Sequence, residues 1–435
     1  MIQTGAAQTD SSRRLPFRPV YDEPAWLVKA RRKAWDAYQG APLPARAGHL
    51  WRYTPAGRFA LPDEEALASP VPSPKSTDWP GVIRKSLDAG QLSGAALSRE
   101  GQFVRSELAP ALAKSEIILG DLREAAFRHG DIVQAHLEKL VGAGHGKFEA
   151  LNGAVWGGGV FLYVPGGTAL EMPVRLLHAA GKRKKFFASR LLVVAGEGSD
   201  VTLVDEYAAG RKEGYVNAGV EIFAGASSRV RYVAVQRLGR EARFYVTQRV
   251  RAARDASVLT VTASLGAAAM KADIGTVLSG PGAESEMVGV LLGEGRQHFD
   301  HHTLHDHREH NTRSNIDFKT VLTDRARSAY TGLIRIADEA RGSEAYQENR
   351  NLLLSEGARA ESIPELEILT EDVRCKHGAT VSSLDPEQIF YCLSRGIPRP
   401  EAARIIVEGF VEPALRRVPE NIREELRGCV RERLG

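Results

Sequence analysis

Gly225-Ala-Ser-Ser-Arg-Val-Arg-Tyr-Val233 is a turn of small residues followed by alternating apolar positions. The same pattern stands earlier, at Gly198-Ser-Asp-Val-Thr-Leu203. It returns at Asp255-Ala-Ser-Val-Leu-Thr-Val261 and Gly282-Ala-Glu-Ser-Glu-Met-Val-Gly-Val290. Two further copies are Arg325-Ala-Arg-Ser-Ala-Tyr-Thr-Gly-Leu333 and Gly357-Ala-Arg-Ala-Glu-Ser-Ile-Pro-Glu-Leu366. Copies recur roughly every 27 to 43 residues, a period that marks stacked repeat units. Between them lie runs rich in β-branched and aromatic residues, such as Gly159–Val164, Arg190–Ala195 and Val230–Val235. No helical stretch of useful length separates the copies. A β-solenoid or right-handed parallel β-helix over 152–384 therefore fits better than a βαβ sheet, with a meandering β-sandwich as the alternative.

A solenoid rung buries its apolar face only against its neighbours, so both ends need covering. The flanking regions are read as helical and as the natural caps. Residues 1–14 are a polar tail expected to be disordered. Residues 15–151 are expected to be mostly helical, with a Pro-rich linker near 69–80. Trp26, Leu27, Ala30, Ala34, Trp35 and Tyr38 recur at helical spacing. That stripe suits internal packing better than a partner. Asp121–His129 and Asp131–Leu140 are the clearest helices of the stretch from Val82 to Leu140.

Beyond Leu384 the period changes again. Asp385-Pro-Glu-Gln is a helix start, with Asp as cap and Pro in the first turn. A second helix begins near Pro400 and carries Ile405, Ile406, Val407, Phe410, Val411 and Leu415. This surface is wide for one short helix. It suits partial burial on the solenoid together with a partner protein. Pro419–Leu434 is highly charged and is expected to be solvated.

Composition excludes several functional classes. The chain has 435 residues and a net charge of +4, from 58 Lys and Arg against 54 Asp and Glu. That balance implies no broad nucleic-acid surface. No apolar run approaches the ~18 residues a membrane span needs. The three cysteines are far apart and form no disulfide framework. With a polar start lacking an apolar leader core, this points to a cytoplasmic protein.

Two groupings carry metal chemistry. His298, His301, His302, His305, His307 and His310 crowd one short run, half of the chain's 12 histidines. On an extended strand His301, His305 and His307 share a face and could bind zinc or iron. An autonomous metal-dependent enzyme using His298–His310 is the competing functional class. Cys375 and His377 also share a face if the strand from Leu366 continues, and both could meet a soft metal or a sulfur species. Spacing alone favours a buried cysteine and a hydrogen-bonded histidine. Gly142-Ala-Gly-His-Gly-Lys147 lacks the spacing and the Ser or Thr of a P-loop.

Several segments in order resemble the SufB/SufD family of iron–sulfur cluster assembly proteins. They are Asn349-Arg-Asn-Leu-Leu-Leu-Ser, Pro364-Glu-Leu-Glu-Ile, Cys375-Lys-His-Gly-Ala-Thr, Phe390-Tyr-Cys-Leu-Ser-Arg-Gly-Ile and Glu401-Ala-Ala-Arg. Glu23-Pro-Ala-Trp-Leu and Trp51-Arg-Tyr-Thr resemble the family's SufD branch. The resemblance implies a right-handed parallel β-helix with helical ends and a non-catalytic scaffold role. It implies pairing with a SufB-like paralogue and with the ABC ATPase SufC. Docking of SufC falls on 385–435, with Phe390, Tyr391, Ile405, Ile406, Phe410 and Val411 as its contact residues. It further implies that His377, with Cys375, contributes to a nascent cluster site shared with SufB. Iron or a cluster would be held there transiently, with nothing tightly bound to the isolated chain. A homodimer through the same edge is a third option, compatible with a scaffold role when SufB is absent.

Overall fold

A computed structural model describes residues 23–61, 78–180, 186–209 and 214–434. The expected tail over 1–14 and most of the linker near 69–80 lie outside the described residues.

The chain opens with α1 (Ala25–Gly40) and α2 (Gly81–Asp88), then β1 (Gly94–Arg99), β2 (Gln102–Leu108) and β3 (Ile118–Asp121). Three short helices follow: α3 (Leu122–Arg128), α4 (Gly130–His136) and α5 (Lys147–Val155). The long β region runs through β4 (Gly158–Val164), β5 (Val174–Ala180), β6 (Phe186–Ala195), β7 (Asp200–Ala209), β8 (Tyr215–Ala224) and β9 (Arg229–Arg237). It continues with β10 (Arg243–Ala252), β11 (Ser257–Ser264), β12 (Ala269–Leu278), β13 (Glu284–Gly293) and β14 (His298–His307). Its last strands are β15 (Arg313–Leu322), β16 (Arg327–Ile336), β17 (Ser343–Leu353), β18 (Arg359–Ile368) and β19 (Val373–Ser383). The chain closes with α6 (Pro386–Ser394), α7 (Arg399–Leu415) and α8 (Glu420–Leu434).

Consecutive strands from β4 onward alternate between two sheets. Odd-numbered strands stack β5 to β19 in one sheet, and even-numbered strands stack β4 to β18 in the other. Neighbours within each stack are parallel and in register, as in β10–β12 and β15–β17. A chain that crosses to the facing sheet and returns one strand higher is a parallel β-solenoid, not a meander. Most of its interior is an apolar cluster that includes Val193, Val220, Ile222, Val250, Ile274 and Ile316.

The corners explain the repeat. Gly198, Ser227, Asp255, Gly282, Asn311 and Gly342 all have positive φ and recur every 27 to 31 residues at one corner. Each rung must turn there through a conformation that small or Asn/Asp residues tolerate best. Arg325 and Gly357 belong to the opposite corner, between β15 and β16 and between β17 and β18. The longest gap in the sequence repeat is thus one rung and a half.

The ends and faces depart from expectation. The stretch from Val82 to Leu140 holds three strands as well as helices. β1 and β2 form an antiparallel hairpin turned by Glu100 and Gly101, both at positive φ. β2 and β3 close the first end of the two sheets. The helices cover faces rather than ends. α1, α3 and α5 lie over the outer face of the even sheet: Leu27, Leu122 and Trp156 pack with Phe161, Leu192 and Val194. α7 and α8 cover the outer face of the odd sheet, where Val407, Val411, Ile422, Leu426 and Val430 pack on Val233, Val261, Val288 and Val290. Strands buried on both faces read as continuous apolar runs, so each outer face needs its own cover. The last helix is therefore not wholly solvated. It buries Ile422, Leu426, Cys429 and Val430 and presents its charges on the other side. Trp35 is buried between α1 and α5, which is the internal packing expected of that stripe.

Candidate functional site

The second end of the solenoid is open. β18 and β19 are the edge strands of the two sheets, and among the described residues no further rung stands above them. Pro364 lies inside β18, where an edge strand tolerates its missing N–H. Cys375 sits in register with Ala345 of β17, and His377 with Gln347. Cys375 points inward and packs beside Ile334, Ile336 and Ala345. Half-burial pushes its thiol pKa up, partly offset by a hydrogen bond from the Ala345 backbone. His377, two residues on, shares that face and is exposed. The strand pairing thus brings the two residues together as expected, at the mouth of the solenoid. Lys376 points the other way, into solvent. Tyr346, Ile368, Leu369 and Val381 add exposed apolar surface around this end, which the motif reading missed.

The chain turns directly from β19 into α6. Asp385 caps that helix by accepting the Glu387 N–H at 2.9 Å, and Pro386 occupies the first turn. The cap holds Phe390 and Tyr391 outward, at 72% and 60% exposure, beside exposed Leu393 and Ile405. Ile406 is half-buried. Phe410 leans on the solenoid, with Lys319 Nζ 5.7 Å from its ring centroid. Val411 is only 1% exposed. It belongs to the packing of α7 on the odd sheet, so it leaves the set of expected partner contacts.

The histidine run forms β14 and is divided by the strand's two-residue period. His301, His305 and His307 face the interior. Each ring meets a hydroxyl on the facing sheet or its corner: Ser264 at 2.9 Å, Ser285 at 3.0 Å, and Thr312 and Ser314 at 2.7 and 2.8 Å. Burial lowers their pKa values to about 4, 3 and 4. His298 and His302 face outward around Asp300. Burial alone would raise the Asp300 pKa, but the His302 hydrogen bond and the Lys271 charge hold it well below the usual range. Asp300 also accepts from Lys271 at 3.0 Å and from Thr54, which pins the 50–54 segment to the sheet. His310 lies in the following turn. Among the described residues no three His, Cys, Asp or Glu side chains converge as a metal set. Lys147 of the glycine-rich loop donates to the carbonyls of Tyr38 and Ala41, a purely structural task. None of the described helices is long and apolar enough to cross a membrane.

Comparison with known proteins gives the family of the chain. Residues 177–410 match the family model described as SUF system FeS cluster assembly, SufBD core domain. Residues 87–176 match the SufBD protein N-terminal region. The iron-sulfur cluster assembly protein SufB of Bacillus subtilis is 26% identical over 416 residues, covering 94% of this chain and 90% of that protein. An iron-sulfur cluster assembly SufBD family protein of Staphylococcus saprophyticus matches with the same identity and coverage. The core-domain match alone spans more than half of the sequence, and this chain belongs to the SufBD family of iron–sulfur cluster assembly proteins.

Proposed function

We propose that the chain is a non-catalytic scaffold subunit of the SufD branch. It pairs through its open end with a SufB-like paralogue and, through α6 and the start of α7, with a SufC-like ABC ATPase. The observation that carries this reading is the pair of unpaired edge strands, β18 and β19, with Cys375 and His377 at their mouth. An open edge strand is a ready template for pairing with another chain. Two ligands cannot hold iron or a cluster alone, but they can complete a set with side chains from a facing subunit. Phe390, Tyr391 and Ile405 supply the aromatic and aliphatic anchors of the ATPase contact. Without the paralogue, the same end pairs with a second copy. The SufD assignment draws on Glu23-Pro-Ala-Trp-Leu, on Trp51-Arg-Tyr-Thr and on the low cysteine count. Iron and the nascent cluster are cargo of the assembled complex.

The test is co-expression with the candidate ATPase and paralogue, followed by anaerobic cluster formation. The wild-type complex is expected to build a cluster and the His377→Ala complex to lose most of it. Undiminished formation in the variant sinks the interfacial site.

A further inference from the structure

Gln347 lies directly below His377 in the β17–β19 ladder. Its side chain is buried in the last closed rung. Its Nε2 donates to the carbonyl of Gly332 across the interior at 3.2 Å. A carbonyl can only accept, so this bond fixes which end of the amide is nitrogen. Oε1 is then also fixed in place, and it is buried without a partner. Gly332 makes room for this arrangement. A Cβ there would stand 2.4 Å from Gln347 Nε2 and 2.6 Å from the Tyr330 hydroxyl. That hydroxyl is engaged with Thr303 at 2.8 Å.

A buried, unpaired carbonyl costs about 1–3 kcal/mol. In-register residues of parallel strands lie about 4.8 Å apart with side chains on one face. The ring above Gln347 is therefore a donor within reach of Oε1. The amide is held, whereas the exposed ring turns about two single bonds. We propose that Gln347 is a positioning residue for His377, its Oε1 accepting the N–H of one ring nitrogen so that the other presents its lone pair out of the open end. An outer partner of this kind selects the tautomer and orients a ligating histidine. This inference rests on the reading of His377 as a ligand.

The experiment uses the full chain labelled with 15N-histidine, with His377→Gln to assign the signal. Ring nitrogen shifts at mildly alkaline pH report the tautomer. In the wild type, one tautomer of His377 is expected well in excess of the ratio in free histidine. Gln347→Leu and Gln347→Asn, which remove or retract the acceptor, return it to the free ratio, and Gln347→Glu, which keeps an acceptor there, restores the bias. Unchanged signals from His301 and His305 certify that each variant folds. In the assembled complex, Gln347→Leu is expected to weaken Fe(II) binding about 10–100-fold. A wild-type ratio equal to that of free histidine, or one that Gln347→Leu and Gln347→Asn leave unmoved, overturns the proposal. If instead the tautomer responds to Gln347 but His377→Ala still builds clusters, the ligand reading fails and the positioning contact stands.

Discussion

Ser285 Oγ and His305 Nε2 face each other across the solenoid interior at 3.0 Å, and the other ring nitrogen of His305 is buried without a partner. The interior thus holds neutral imidazoles. Burial lowers the pKa to about 4 for His301 and His307 and to about 3 for His305, where His307 adds a smaller push. In the unfolded chain each returns to about 6.5. Above that pH both states are neutral and stability does not depend on these groups. As pH falls from about 6.5 towards 4, the unfolded chain binds protons that the fold refuses. Stability then drops by up to about 1.4 kcal/mol per pH unit per histidine. Denaturant midpoints at pH 7 and pH 5 should show this loss, and His305→Gln should flatten the slope by about one proton. An unchanged slope means that His305 titrates normally inside the fold.

Val411 and Phe390 predict opposite outcomes for neighbouring helices. Val411→Ala removes a buried side chain from the α7 packing and is expected to cost about 1.5–3 kcal/mol. Phe390→Ala with Tyr391→Ala changes exposed residues, so the melting temperature should hold within about a degree or two. On the proposed reading, the double variant nonetheless loses the ATPase in a pull-down, with binding weaker by at least tenfold. Retained capture moves the ATPase contact away from α6.

The solenoid is legible in the sequence because its corners are chemically constrained. Gly198, Ser227, Asp255 and Gly282 each occupy a left-handed turn that most side chains resist, so the repeat survives as a pattern of small and polar residues. The β1–β2 hairpin carried its own signal, Glu100-Gly101 between two apolar runs, but Ala95, Ala96 and Leu97 look equally helical. Burial of α8 was hidden in the same way. Ile422, Leu426, Cys429 and Val430 have helical spacing, and the charges between them mask it. At the open end, Cys375 and His377 are visible as a motif. The fixed amide of Gln347 is not, because its orientation depends on Gly332 in the facing sheet.

Glu221 anchors the N-terminal helices to the even sheet. Its fully buried carboxylate accepts the backbone N–H groups of Glu138, Leu140 and Val141 at 2.7–3.0 Å and pairs with Arg190 at 2.7 Å. Removing one partner of such a pair leaves an uncompensated buried charge. Glu221→Ala is therefore expected to cost about 3–5 kcal/mol. The double variant Glu221→Leu with Arg190→Met should recover part of that loss. Chemical denaturation of the three proteins checks both statements. A single variant within about 1 kcal/mol of wild type means that water reaches the site.

On the proposed reading, the open end sets the association state. Leu369 and Val381 flank the free edges of β18 and β19, and both are exposed. On the proposed reading the isolated chain pairs with a second copy there. Lysine on an edge strand blocks pairing, because its charge would be buried against the incoming strand. Leu369→Lys with Val381→Lys is thus expected to convert dimer to monomer in light scattering at micromolar concentration. The melting temperature of the monomer unit should be nearly unchanged, since both side chains are exposed in it. The same variant should fail to co-purify with the paralogue, as both partners would use one edge. A dimer that persists in the double variant places self-association on another face of the solenoid and separates it from Cys375 and His377.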